Sequence, residues 1–272
     1  MDAIVYRLRF FAAILTGVLV TGTAGFMWLE RYSFVDSLYY TVVTVATVGY
    51  GDITPRTDGG KFLAMGLIVV GVGTFLGVFA NATELLLVRR QERLRRERLS
   101  MAIGLFLSEI GSELLRMLAS CDPDLAEIRA TLAIRPDWSK AEFDAAARAV
   151  EAREFRLDPE RVPLDRLHEF LSMRRDLLLR LLENPNLVEH EAFTDLLRAV
   201  FHLKEELASR PGFSDLPETD RNHLAGDARR VYPLLARQWL EHMSYLKASY
   251  SYLYSLAVRT NPFSQAASAV VR

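Results

Sequence analysis

Two long stretches without a charged side chain constrain this sequence more than any other feature. Phe10 to Leu29 is twenty residues and Phe62 to Thr83 is twenty-two, in a chain of 272. A hydrocarbon core about 30 Å thick is crossed by about 20 helical residues, so each run is long enough to span a bilayer. A signal peptide would have an apolar region of only about 7 to 15 residues ahead of a small-residue cleavage site, and the first run shows neither. Two membrane helices are expected, at about 8–29 and 62–88.

The rest of the chain has a different composition. Residues 1–88 carry eleven charged side chains and eleven of the fifteen glycines, whereas residues 99–272 carry 22 basic and 26 acidic side chains. Three parts follow: a membrane domain over 1–88, a basic juxtamembrane linker over 89–98 with six arginines, and a polar domain over 99–272. The net charge of −1 offers no general field for nucleic acid, which is excluded as a partner. Cys121 is the only cysteine, so neither an intramolecular disulfide nor a Cys-based zinc site can form within one chain.

Basic residues near the span ends set the orientation. Arg7 and Arg9 precede the first span and six arginines between Arg89 and Arg98 follow the second, while the basic residues of the loop are offset by Glu30, Asp36, Asp52 and Asp58. The positive-inside rule then puts both termini in the cytoplasm of a multi-pass protein of the cell (inner) membrane.

Between the spans, Ser37 to Gly51 is a third uncharged stretch of fifteen residues. It is too short to cross and too apolar for a solvated loop, the profile of a segment that dips into the membrane and returns. Ser33 and Asp36 have capping-box spacing, which predicts a short helix over about 34–46. Non-helical backbone at membrane depth is tolerated only where it is buried in protein or lines a water-filled path. The following residues, Thr47-Val48-Gly49-Tyr50-Gly51, could line such a path with carbonyl oxygens standing in for an ion's water. Gly49 and Gly51 permit the backbone angles that pointing successive carbonyls one way requires.

Thr47-Val48-Gly49-Tyr50-Gly51-Asp52 reproduces the TVGYG filter of potassium channels, and its place between two spans resembles the two-transmembrane, pore-loop channels of bacteria. The resemblance covers residues 1 to about 88. It implies a homotetramer in which the carbonyls of Thr47, Val48, Gly49 and Tyr50, with the Thr47 hydroxyl, form stacked K⁺ sites. Tyr39 and Tyr40 stand where many relatives carry tryptophan, and the resemblance implies a hydrogen bond from Tyr39 to Asp52. Val43 stands where some relatives have a buried glutamate, so inactivation through a carboxylate pair is not expected.

In the second span, Gly71-Val72-Gly73-Thr74-Phe75 resembles the hinge segment of ligand-gated two-span channels, with Gly71 as the hinge and Leu76 and Ala80 as the inner constriction. Close helix packing is the alternative for these glycines, since Gly73 and Gly77 form a GxxxG pair. Glu84, the sole carboxylate in the last turns of the span, reads either as a cation-concentrating ring at the inner mouth or as an ion-pair partner for a residue such as Arg90 of a neighbouring chain. The arginine cluster anchors the topology and offers a surface to anionic lipid.

Beyond residue 98 apolar positions recur at helical spacing, as in Leu164, Leu167, Leu171, Leu178 and Leu182, or Leu240, Met243, Tyr250, Leu253 and Ala257. A helical bundle is expected, with Ser139 and Glu142 forming a capping box. Neither a GxGxxG segment nor strands alternating with helices occur here, so a Rossmann-type regulatory domain is not expected. The five histidines, His168, His190, His202, His223 and His242, show no paired ligand spacing and read as solvated or core residues. The tyrosines at 245, 250, 252 and 254 line either a pocket or a packed face. No regulatory ligand and no catalytic constellation are legible.

The expectation is an all-α membrane protein: two transmembrane helices, a re-entrant pore helix with filter, and a cytosolic helical bundle. Its function would be passive, K⁺-selective conduction, without enzymatic chemistry and with no cofactor besides the transported ion. Two alternatives stand beside it, a weakly selective cation channel and a membrane-tethered helical sensor or scaffold with a vestigial pore.

Overall fold

The computed structural model describes residues 2–185, 187, 190–264 and 267–270. Among these the regular structure is helical, with no strand. The chain divides into two compact units at Leu94 and Arg95.

In the first unit, helix α1 covers Asp2–Leu29, α2 covers Phe34–Val45 and α3 covers Asp58–Gly66. A π-helical turn over Leu67–Val72 then leads into α4, Gly73–Phe106. Two helices, the first beginning at Asp2 and the second at Asp58, are long and apolar enough to cross a membrane. Both start earlier than their apolar edges at about 8 and 62 suggest, and the basic stretch 89–98 is helical throughout. At Asp58 the reason is a cap, because the Thr57 hydroxyl accepts the Gly60 amide at 3.0 Å and so supports a polar first turn, Asp58-Gly59-Gly60-Lys61. Ser33 caps α2 likewise, accepting the Asp36 amide at 3.1 Å.

The core of this unit is small. Phe26, Val45, Ala64 and Leu67 are fully enclosed where α1, α2 and the start of the second span meet, with Val18, Leu63 and Phe75 packed around them. Most other large apolar side chains are exposed, including Val69 at 77% and Phe79 at 67%. An apolar surface of that extent requires lipid or further protein against it.

The second unit builds one continuous core. Its elements are the last turns of α4, a π-helical turn at Leu107–Gly111, α5 (Ser112–Ser120), α6 (Leu125–Leu132), α7 (Lys140–Ala152), a 3₁₀ turn at Pro159–Arg161, α8 (Leu164–Met173), α9 (Arg175–Leu182), α10 (Glu191–Ala208), α11 (Glu218–Ser249) and α12 (Ser251–Arg259). Ser139 and Glu142 form both bonds of a capping box at the start of α7. Helix α10 buries Phe193, Leu197, Val200 and Leu207 on the stripe that packs along α11, which contributes Leu224, Ala228, Val231 and Leu235.

The sequence suggests one helix running through Leu240 to Ala257, but the structure breaks it at Tyr250, whose φ of −144° and ψ of 72° separate α11 from α12. No proline or glycine marks that break. Pro233, the usual breaker, lies inside α11 and leaves it uninterrupted, removing one amide donor.

Candidate functional site

The loop between the spans is tied down at both ends by side chains of its own unit. Glu30, just past α1, accepts the amides of Arg56 and Thr57 at 2.9 Å each and the Thr57 hydroxyl at 2.7 Å. Burial works to raise the Glu30 pKa, but these donors outweigh it and hold the carboxyl below its usual range. A Cβ at Gly60 would lie 1.9 Å from Glu30 Oε1, so a larger residue there would push the carboxylate out of this clasp. The Tyr32 hydroxyl donates to the Thr54 carbonyl at 2.7 Å. Sequence reasoning missed the Glu30 clasp because its partners lie 26 and 27 residues away.

At the inner end of α2 the Val43 carbonyl accepts the amides of Val48 at 3.0 Å and Gly49 at 3.3 Å. Beyond it the backbone alternates in hand. Thr47, Gly49 and Gly51 take positive φ of 61°, 56° and 77°, while Val48 and Tyr50 between them do not. In an ordinary strand consecutive carbonyls point to opposite sides. Reversing the hand at every second residue turns them toward the same side, and among the described residues no carbonyl from Thr47 to Gly51 accepts a hydrogen bond. Positive φ is natural for the two glycines but unfavourable for a β-branched threonine, at a cost on the order of 1 to 3 kcal/mol. Thr47 is therefore a strained residue that sequence reasoning did not single out as such.

Behind this segment the Tyr39 hydroxyl donates to Asp52 Oδ2 at 2.9 Å. Tyr40 turns instead toward α1, meeting the Phe26 ring edge-on at 4.6 Å between centroids. The structure thus brings Tyr39, Asp52 and residues 47–51 together, with Tyr40 bracing the helix they hang from. Val48 and Tyr50 are exposed in the single chain.

The glycines of the second span differ in surroundings. At Gly71 a Cβ would lie 2.7 Å from Val45 Cγ2 and 3.3 Å from Val18 Cγ1, so close packing of three helices needs glycine there. Gly71 also belongs to the π-helical turn, a common cause of helix bending. Gly77 lies against Phe11, but nothing approaches Gly73, so the GxxxG pair does not act as one packing face within the chain. Leu76 and Ala80 are exposed. Within the chain Glu84 pairs with Arg7 of the first helix at 3.5 Å, because α1 and α4 bring the two within reach.

In the second unit, helix packing brings two of the histidines, both about half exposed, next to carboxylates. His202 and Glu206 on α10 face His223 and Asp227 on α11, with nitrogen to oxygen separations of 3.5 to 4.0 Å. A search for His pairs misses a set that mixes imidazoles and carboxylates across two helices. Tyr245 and Tyr250 line a cavity of about 540 Å³ together with His242, Trp239 and Leu256. Tyr254 is instead buried, donating to the Arg135 carbonyl at 2.7 Å, and Tyr252 is exposed, so the four tyrosines do not share one role.

Comparison with known proteins matches both units. Residues 13–88 match the family model described as an ion channel, and residues 95–259 match the one described as the C-terminal helical domain of the uncharacterized protein MJ1433. The uncharacterized protein MJ1433 of Methanocaldococcus jannaschii is 41% identical over 180 residues, 66% of this chain and 72% of the relative. Two pore potassium channel b of Oryza sativa subsp. japonica is 36% identical over 93 residues, 32% of this chain and 26% of the relative. Probable potassium channel protein 2 of Methanocaldococcus jannaschii is 38% identical over 56 residues, 21% and 16% of the two chains. This chain therefore spans only a minor part of either channel's length. It is a membrane protein that joins a two-span, pore-loop channel domain to a helical domain, and it belongs to the family of the uncharacterized protein MJ1433.

Proposed function

We propose that this chain is a potassium channel whose filter is the segment Thr47–Gly51, assembled from four copies around one axis. The observation that carries this reading is the alternating backbone hand at Thr47, Gly49 and Gly51, with the carbonyls between them free of hydrogen bonds. One such segment offers an ion a single column of oxygens. Four related segments would offer rings of neutral oxygens able to replace hydration while permitting movement from site to site. The potassium-channel relatives of the pore domain support the choice of ion. The exposed apolar side chains of the first unit suit burial against other copies and lipid.

Conduction is passive, selective for K⁺ and without a cofactor besides the ion. Tyr39, Tyr40 and Asp52 support the filter, Gly71 within its π-helical turn bends the inner helix, and Leu76 and Ala80 narrow the pore below it. Both termini lie in the cytoplasm, the arginine cluster contacts anionic lipid of the cell membrane, and the helical domain assembles or gates the tetramer.

The test is K⁺ efflux from vesicles holding the purified protein, with barium as blocker, beside the mass of the detergent-solubilised particle. Barium-sensitive efflux from a four-chain particle is expected. Efflux that persists unchanged in Gly49→Asp would contradict the assignment of the filter.

A further inference from the structure

We propose that His202, Glu206, His223 and Asp227, held between α10 and α11, bind a divalent transition metal ion of the zinc type. The inference is independent of the pore.

Each helix supplies a pair at i and i+4, His202 with Glu206 on α10 and His223 with Asp227 on α11, so each pair projects from one helix face. The two helices bring the pairs together. His223 Nε2 lies 3.5 Å from Glu206 Oε2 and 3.5 Å from Asp227 Oδ2, and His202 Nε2 lies 3.6 Å from Asp227 Oδ1 and 4.0 Å from Glu206 Oε1. Ligand atoms of Glu206, His223 and Asp227 all fall within 4.8 Å of one another. These separations are too long for good hydrogen bonds. Among the oxygens that the arginines leave available, Asp227 Oδ2 lies 3.5 Å from His223 Nε2, close to the edge of a tetrahedron about a zinc ion, roughly 3.3 Å for bonds of about 2.0 to 2.1 Å, and Glu206 Oε1 lies 4.0 Å from His202 Nε2, somewhat longer.

The carboxylates are positioned for a ligand. Asp227 is 4% exposed, and its Oδ2 has no hydrogen-bond partner among the described residues, a costly state for a buried charged oxygen. Its other oxygen, Oδ1, accepts Arg230 Nη1 at 3.1 Å. Glu206 Oε2 accepts Arg210 Nη1 at 2.9 Å, and Arg210 is itself clamped by Asp220. The arginines thus occupy one oxygen of each carboxylate and orient it, leaving Glu206 Oε1 and Asp227 Oδ2 available. Three carboxylates against two arginines leave the cluster negative with both imidazoles neutral, which favours a cation.

Two nitrogens among four donors select the metal class. Imidazole suits zinc, copper, iron and nickel, whereas calcium and magnesium require oxygen throughout. Both histidine side chains are about half exposed, so an ion can reach the buried Asp227. Bound metal would tie α10 to α11 and make the stability of the helical domain depend on metal concentration.

The test uses the full-length protein in detergent, stripped with EDTA and titrated with Zn²⁺ by calorimetry and with Co²⁺ by visible absorption. One ion per chain and cobalt bands of tetrahedral intensity are expected, with a thermal midpoint about 5 to 10 °C higher at a hundredfold excess over the dissociation constant. His202→Gln and His223→Gln, at partly exposed positions, are expected to weaken binding by at least tenfold each. Asp227→Asn gives a second check if it folds. No binding at micromolar free metal, or binding that both histidine variants leave unchanged, would overturn the proposal.

Discussion

The hydroxyl of Tyr39 and the carboxylate of Asp52 meet at 2.9 Å, linking the re-entrant helix to the outer end of the segment it supports. Among the described residues no other donor reaches the Asp52 carboxylate, so the bond is a single tie. Tyr39→Phe keeps the ring and removes the tie. Single-channel recording in planar bilayers should show conducting periods shortened several-fold, while Tyr40→Phe, which keeps its ring contact with Phe26, should change them little. Equal effects of the two would mean that the Tyr39 bond does not hold the filter.

Gly71 has two roles that mutation can separate. A methyl group there would overlap Val45 Cγ2, so Gly71→Ala should destabilise the purified channel by about 1 to 3 kcal/mol in thermal denaturation. Adding Val45→Ala makes room and should restore most of that loss. If stability returns while open probability stays altered, the glycine serves bending as well as packing; if the second change rescues nothing, overlap with Val45 is not the cause.

His242 makes the helical domain sensitive to acid. Burial in the cavity wall lowers its pKa to about 4. An unfolded histidine titrates near about 6.5, so the stabilisation is complete above that pH, declines as pH falls toward about 4 and then levels, because only the unfolded chain gains the proton in that window. Allowing for partial exposure, about 1 to 3 kcal/mol should be lost across it. Denaturant unfolding of parent and His242→Gln between pH 7 and pH 4 measures this, and parallel curves would show that His242 contributes nothing.

What the sequence made legible was whatever local pattern carries. The two apolar runs appear as helices because composition alone decides them, and Ser33 with Asp36, or Ser139 with Glu142, mark helix starts through contacts three residues apart. The Thr47–Gly51 string is legible as a string, but the positive φ of Thr47 is not, since a β-branched residue argues against it. Contacts between distant residues were out of reach for the same physical reason. Glu30 with Thr57, Arg7 with Glu84, and the two imidazole-carboxylate pairs of α10 and α11 exist only once helices pack. The π-helical turn at Leu67–Val72 contains Gly71 but no sequence pattern that separates it from ordinary helix, and the break at Tyr250 is marked by neither glycine nor proline.

The central claim is that residues 47–51 select K⁺. The most direct measurement is the reversal potential of the reconstituted protein with K⁺ on one side of the bilayer and Na⁺ on the other. The account predicts a reversal close to the K⁺ equilibrium potential, with the current abolished in Gly49→Asp. A robust current that reverses near zero in the same gradient would contradict it.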